Sequence, residues 1–302
     1  MIAINTALRT VLLIFGLLIM APSAYNVITS LITRMGEKRT PIAYIDITGT
    51  LTDSRDILKT ARPLFKDPAI KAVLLRIESP GGAAGTAYAI YQEIVTLKKE
   101  FNKPVVALIE NICASGGYYI ALAADWVICS PAALIGSVGV VLPPQFKVKK
   151  LLKKYDVDVE TTSAGSYKTV GSPFSDTTPE QAQLLQNIVN EVYTQFITDV
   201  SVARPQLSLE KASEWANGRI FPGSRALELH MVDENGSQTA AEIQLRKRAN
   251  FEGEIEWRKP PEPTFFEKFL GKNGFKTTVQ QTLHDWLLHS ELTVGDQLTV
   301  VL

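Results

Sequence analysis

Three short segments of this 302-residue chain carry residue types that a plain folded core does not require. Ser79-Pro80-Gly81-Gly82 follows an apolar run and precedes a stretch of helical period. Paired glycines there tolerate unusual backbone angles and let amide groups face a ligand, although a tight strand-to-helix turn needs the same glycines. Ala114-Ser115-Gly116-Gly117-Tyr118-Tyr119 repeats the arrangement one unit later. A serine at such a junction lifts its hydroxyl above the sheet edge, with the following amides pointing the same way; the competing role is a serine that only caps the helix. The recurrence favours chemistry, because two glycine-paired turns in successive βαβ units bring the Gly82 and Gly116 amides near one point, as an oxyanion hole requires.

A serine hydroxyl needs a base. The histidines, His230, His284 and His289, all lie in the last third; His230 reads as the end of a helix and the other two belong to a tail. Residues 163–174 (SAGSYKTVGSPF) hold one lysine, Lys168, in a run otherwise free of charge. A lysine in poorly hydrated surroundings gives up its proton more easily and can serve as a base, whereas a lone loop lysine is usually solvated. Beside the serine turn, Lys168 is the best candidate. No HExxH pattern or carboxylate cluster has metal spacing, and Cys113 and Cys129 form no CxxC pair and fit as small buried hydrophobes. No metal or cofactor is expected.

The elements that must position these residues alternate in kind. Residues 42–47, 72–77, 105–109 and 126–129 are rich in β-branched side chains and predict strands; residues 86–101 put Ala87, Ile90, Tyr91, Ile94, Leu97 and Phe101 on one helical face. Residues 147–155 and 179–204 also predict helices, the second with Thr178 as N-cap and Pro179 at its first position. This is an α/β pattern of repeated βαβ units around a mostly parallel sheet. With 46% hydrophobic and 21% charged residues the chain can bury a large core, and 31 basic against 31 acidic residues leave no net field to attract nucleic acid. Residues 10–33 carry no charge and are long enough to cross a bilayer at about 20 residues per span. A transmembrane helix is the expectation; a cleaved signal peptide ending near Ala21-Pro22-Ser23-Ala24 is the rival. The predicted organisation is an anchor over residues 1–36, a catalytic body over 37–259 and, after the proline-rich residues 260–264, a tail over 260–302 that packs on a neighbour, on lipid or on the body as a lid.

Read in order, SPGG, ASGGYY and AGSYKTVGSP resemble the signal peptide peptidase A family of Ser/Lys membrane proteases, related in fold to Clp protease and crotonase. Asn217-Gly218-Arg219-Ile220-Phe221 and Met231-Val232-Asp233-Glu234 are similar to its later segments, so the likeness runs from about Ile42 to Gly236. The resemblance implies that Ser115 is the acyl-forming nucleophile, Lys168 the base, and Gly82 and Gly116 the oxyanion hole. Ser137, in Ile135-Gly136-Ser137-Val138-Gly139, matches a serine that positions the lysine amine. It also implies a homo-oligomeric ring in which neighbouring subunits supply serine and lysine, with hydrophobic peptides such as released signal peptides as substrates. Arg34, Lys38 and Arg39 after the apolar run lean towards a cytoplasmic body; the resemblance accommodates the outer side of the plasma membrane, which is the expectation adopted. Two rivals stand beside this: an acyl-CoA hydratase or isomerase using Glu78 or Glu110 as base, and a membrane scaffold without catalysis, against which the presence of both Ser115 and Lys168 argues.

Overall fold

The computed structural model describes residues 39–259 continuously, with residues 15, 16, 19–23, 25 and 29 of the N-terminal segment. Nine strands among the described residues form one curled sheet. β1 (Arg39–Leu51) leads through α1 (Arg55–Lys66) to β2 (Val73–Gly82), and α2 (Ala84–Phe101) crosses to β3 (Val105–Ile109). β4 (Ile112–Ala114), α3 (Gly116–Ala121), β5 (Trp126–Cys129) and β6 (Leu134–Gly136) follow closely. A long excursion carries α4 (Lys149–Lys154) and α5 (Pro179–Ala203); then come α6 (Ala212–Trp215), β7 (Ile220–Pro222), α7 (Gly223–Glu228), β8 (Glu234–Asn235), α8 (Gln238–Ala249) and β9 (Glu254–Arg258).

All pairings are parallel except β6 with β7. β2 sits at the centre because it is long enough to serve two neighbours in turn. Its first half pairs with β3 on one side and β1 on the other, and its end, at Ser79 opposite Cys113, picks up β4. Both faces of the sheet are covered, which is why β3 is apolar at every position and buried throughout. Val73, Leu75 and Ile77 point to the side packed by Phe65 of α1, Ile90 and Ile94 of α2 and Tyr118 of α3. Leu74 points to the other, with Ile42, Val106 and Ile128, under Ala241 and Leu245 of α8. Cys113 and Cys129 are buried, as small hydrophobes should be.

The predicted strands over 105–109 and 126–129 and the mixed α/β class agree with the structure. The strand predicted over 72–77 runs further, through Ser79-Pro80-Gly81-Gly82. β1 also continues, past a register shift between Thr48 and Thr50, and pairs Thr50 with Gly81 and Leu51 with Gly82. The glycine pair therefore ends a strand and does not form a separate turn. α5 starts as predicted: Thr178 closes a capping box with Gln181, an N-cap device worth about 1 kcal/mol. Among the described residues no helix is long and apolar enough to cross a membrane. The expected anchor at residues 10–33 falls outside them, apart from isolated helical positions, and the tail at 260–302 lies outside them entirely.

One buried ion pair fastens the far end of α5. The Arg204 guanidinium donates to Asp233 Oδ1 at 2.7 Å, while Asp233 Oδ2 accepts from the Val127 amide at 2.8 Å. Arg204 is itself buried, so removing the acid strands a charge. Asp233→Ala is expected to lower unfolding stability by about 3 kcal/mol, read from the midpoint of a urea titration.

Candidate active site

Ser115 stands where β4 ends and α3 begins, with φ 53° and ψ −121°. A side chain in that region strains the backbone by about 1–3 kcal/mol, and such strain persists only where the surroundings enforce it. Here the Ser115 amide donates to Gly136 O at 2.7 Å and its carbonyl accepts from the Tyr119 amide at 3.0 Å. Ser115 occupies the N-cap position of α3, yet its hydroxyl makes no capping bond. Of the two roles open to a serine at this junction, capping is the one it does not perform.

The glycine pair at the end of β2 presses against it. Gly81 has φ 101°, and a Cβ there would lie 2.7 Å from Ser115 Cβ and 2.8 Å from the Gly116 nitrogen. The Gly81 amide donates to Ser79 Oγ at 3.1 Å and the Ala83 amide to Leu51 O at 2.8 Å, so both amides flanking Gly82 are engaged by the scaffold. Gly116, as the first residue of α3, has no carbonyl of its own helix to donate to. Sequence reasoning singled out Gly82 and Gly116 and passed over Gly81, whose signal was its place in the pair. Gly81→Ala is expected to reduce turnover by at least about 100-fold, because the new methyl displaces either Ser115 or the Gly116 amide; hydrolysis of a peptide reporter reads it, with circular dichroism to verify folding.

Gly82, Ser115, Gly116 and Ser137 line one cavity of about 1210 Å³. That exceeds the roughly 300–1,000 Å³ of ordinary small-molecule sites and suits a length of polypeptide. Ser137 also has a left-handed backbone, φ 51°, held by its amide donating to Arg219 O at 2.7 Å. The opposite wall is apolar. Ile188, Val189, Val192 and Phe196 share one side of α5, and Val140 to Leu142 come from the strand-free stretch after β6. The Tyr119 ring packs edge-on to Phe196 at 4.6 Å, and its hydroxyl donates to the Asp199 carboxylate. Burial, then that carboxylate, raise the phenol's pKa, so Tyr119 is a fixed neutral wall and not a base. The periodicity of α5 had suggested only a helix; its part in the cavity depends on segments far apart in sequence.

Lys168 is not among the lining residues. It lies exposed on a turn, its amide donating to Gly165 O at 3.0 Å, and its ammonium has no hydrogen-bond or ion-pair partner among the described residues. The dry surroundings expected for it are absent from a single chain, for a plain reason: no residue from 139 to 178 is buried. His230, beyond α7, is exposed and outside the cavity. Burial pushes the Cys113 thiol well above its usual range and Cys129 up to about 11, which removes both as nucleophiles. Glu78 and Glu110, the bases a hydratase would need, do not line the cavity; Glu78 accepts backbone amides and Glu110 pairs with Arg76. No group of three or more His, Cys, Asp or Glu among the described residues could hold a metal.

A mostly parallel α/β sheet with a strained serine at a strand-to-helix junction defines a hydrolase of the serine type. The model of peptidase family S49 matches residues 97–252, just over half of the chain. A Synechocystis sp. protein named as a candidate protease is 35% identical over 204 residues, covering 67% of this chain and 72% of that protein. A candidate protease of Methanocaldococcus jannaschii is 34% identical over 66% of this chain and 62% of its own length. The chloroplastic serine protease SPPA of Arabidopsis thaliana is 30% identical over 67% of this chain and 29% of its own. The match thus spans less than two thirds of the archaeal and plant relatives. The chain belongs to peptidase family S49, in agreement with the likeness to signal peptide peptidase A, and it is a serine peptidase.

Proposed function

We propose that this chain is a membrane-anchored endopeptidase that cleaves apolar peptides, released signal peptides among them, with Ser115 as nucleophile and Lys168 of a neighbouring copy as base. The carrying observation is the strained Ser115, its hydroxyl unused as a cap, facing a large apolar cavity together with Gly82, Gly116 and Ser137. Ser115 Oγ attacks the scissile carbonyl carbon while its proton passes to the Lys168 amine. The Gly82 and Gly116 amides stabilise the oxyanion, a term that removal of one donor typically weakens by 10²–10³. Collapse breaks the C–N bond, the lysine returns the proton to the leaving amine, and an acyl ester remains on Ser115. Water, deprotonated by the same lysine, then frees the acid and restores the serine. Ser137 holds the amine in line.

Supply of the base from a second copy accounts for its absence from the single-chain cavity. The excursion that bears Lys168 also exposes Val141 at 87%, Phe146 at 79% and Tyr155 at 68%, more apolar surface than a free arm would keep in water. This supports assembly into a ring. The described N-terminal positions Phe15, Ile19, Met20 and Tyr25 are helical and exposed, which supports an anchor in lipid; the outer side of the plasma membrane is proposed for the body from the family likeness alone.

Intact-mass analysis of detergent-solubilised protein after a serine-directed phosphonate tests the reading. An adduct on the wild type, absent from Ser115→Ala and Lys168→Ala, is expected. A folded, oligomeric wild type that stays unlabelled by several such probes would sink it.

A further inference from the structure

The last two residues of β2 before the Pro-Gly-Gly run touch β1, α3 and the segment that leads into β4, the parts of the fold that surround Ser115. Ser79 is fully buried; its hydroxyl donates to Gly49 O at 2.7 Å, at the register shift in β1, and accepts from the Gly81 amide. Its carbonyl packs so closely on α3 that a Cβ at Gly117 would lie 2.7 Å away. Glu78 reaches to the other side. Its Oε1 accepts from the Glu110 amide at 2.9 Å and the Asn111 amide at 3.1 Å; its Oε2 accepts from Asn111 Nδ2 at 3.2 Å and the Ile112 amide at 3.3 Å. Those donors span the β3–β4 link and the first residue of β4, which is only three residues long before it delivers Ser115.

From this juxtaposition we propose that Glu78 is a positioning residue for the nucleophile: its carboxylate sets the height at which β4 leaves β3, and so the distance of Ser115 from the Gly81-Gly82 backbone. The inference rests on the reading of Ser115 as nucleophile. Three features make the carboxylate more than a surface acceptor. β4 is laddered to β6 at all three of its residues but meets β2 at the single step Ser79 to Cys113, so few main-chain bonds set its spacing from the strand that carries Gly81 and Gly82. Four N–H groups converge on one side chain, and bonds to an ionised acceptor are about twice as strong as neutral ones. The nucleophile's backbone is strained, so it stays in place only while both ends of β4 are held. Ser115 N–H to Gly136 O holds one end; at the other, Leu134 N–H to Asn111 O ties the chain to β6 and Glu78 ties it to β2. A neutral amide cannot substitute. Its one carbonyl oxygen can accept two of the four donors, while its NH₂ group would face the remaining donors as a third.

The full chain, solubilised in detergent, is compared as wild type, Glu78→Gln and Glu78→Asp by two independent readings. The first is kinetic, on an apolar peptide reporter and on the rate of phosphonate labelling at Ser115. Glu78→Gln is expected to lower kcat and the labelling rate about 10–100-fold with KM changed by less than about twofold, and Glu78→Asp to recover part of the loss. The second is amide hydrogen exchange across residues 110–117, where Glu78→Gln is expected to speed exchange about tenfold or more, the Ser115 amide included, with the remaining sheet unchanged. Unaltered kcat in Glu78→Gln, or a fall in kcat, KM and melting temperature together with no rescue by aspartate, overturns the proposal. A wild type that no probe labels removes Ser115 as nucleophile; the exchange reading then decides separately whether Glu78 holds the junction, and unchanged exchange at Ser115 refutes that.

Discussion

Ser115→Ala is expected to lose peptide hydrolysis by about 10⁴-fold or more, with the assembled protein still folded. The magnitude follows from what else the cavity offers. The thiols of Cys113 and Cys129 lie outside it, buried and held protonated, and the Tyr119 hydroxyl on its wall is committed to Asp199, so none of these replaces the serine. Ser137 shares the cavity, but its amide is bound to Arg219 O, whereas it is Ser115 that the Gly81 backbone and the Gly116 amide press against. A companion variant separates chemistry from folding. Alanine keeps the left-handed strain at φ 53°, whereas Ser115→Gly removes it and is expected to be equally inactive yet more stable by about 1 kcal/mol. Turnover of a peptide reporter and thermal melting of the three proteins read both effects. A stabilised, inactive glycine variant would mean that the chain spends stability to hold this serine in place, as a nucleophile requires and a capping serine does not.

Much of the scaffold was legible because local pattern and tertiary demand agree. Residues 105–109 and 126–129 are short, apolar and bounded by polar or small residues, so their limits coincide with β3 and β5. Thr178 as N-cap with Pro179 at the first helical position marked the start of α5. Where the reading fell short, the missing information was non-local. Residues 79–82 looked like a turn because glycine and proline usually break strands; they remain in β2 because β1 shifts register at Gly49 and follows them to Leu51. β4, β6 and β7 have only three residues each and no period to detect. Gly81 could not be told from Gly82, since what distinguishes it is the Cβ of a residue 34 positions later. Glu78 attracted notice as a possible base for another reaction, while its four donors come from residues 110–112. Lys168 was found by its isolation among uncharged neighbours, but no residue of the segment that carries it is buried, so sequence alone could not bring it to the serine.

That absence leads to the second large effect. Lys168→Ala is expected to be as inactive as Ser115→Ala, at least about 10³-fold below wild type, while still forming the same assembly. Inactivity of each alone does not say which copy supplies the lysine; mixing does. When the two variants are co-expressed in equal amounts and assemble at random, a head-to-tail ring contains junctions where an intact Ser115 meets an intact Lys168 from the next copy. This occurs at about one site in four, so activity per site should return to roughly a quarter of wild type. If each copy served its own serine, every site would lack one of the two groups and the mixture would stay inactive. Recovery is expected because Lys168 and the cavity are separate within a chain, and because the excursion from 139 to 178 buries no residue of its own. A surface bearing exposed Phe146, Leu151 and Tyr155 gains stability by being covered, and covering it with a second copy is also what would dehydrate the Lys168 amine. Under the proposed supply of Lys168 from a second copy, assembly and activation of the base are one event, so dilution below the association range should abolish peptide hydrolysis and leave the fold of each protomer intact.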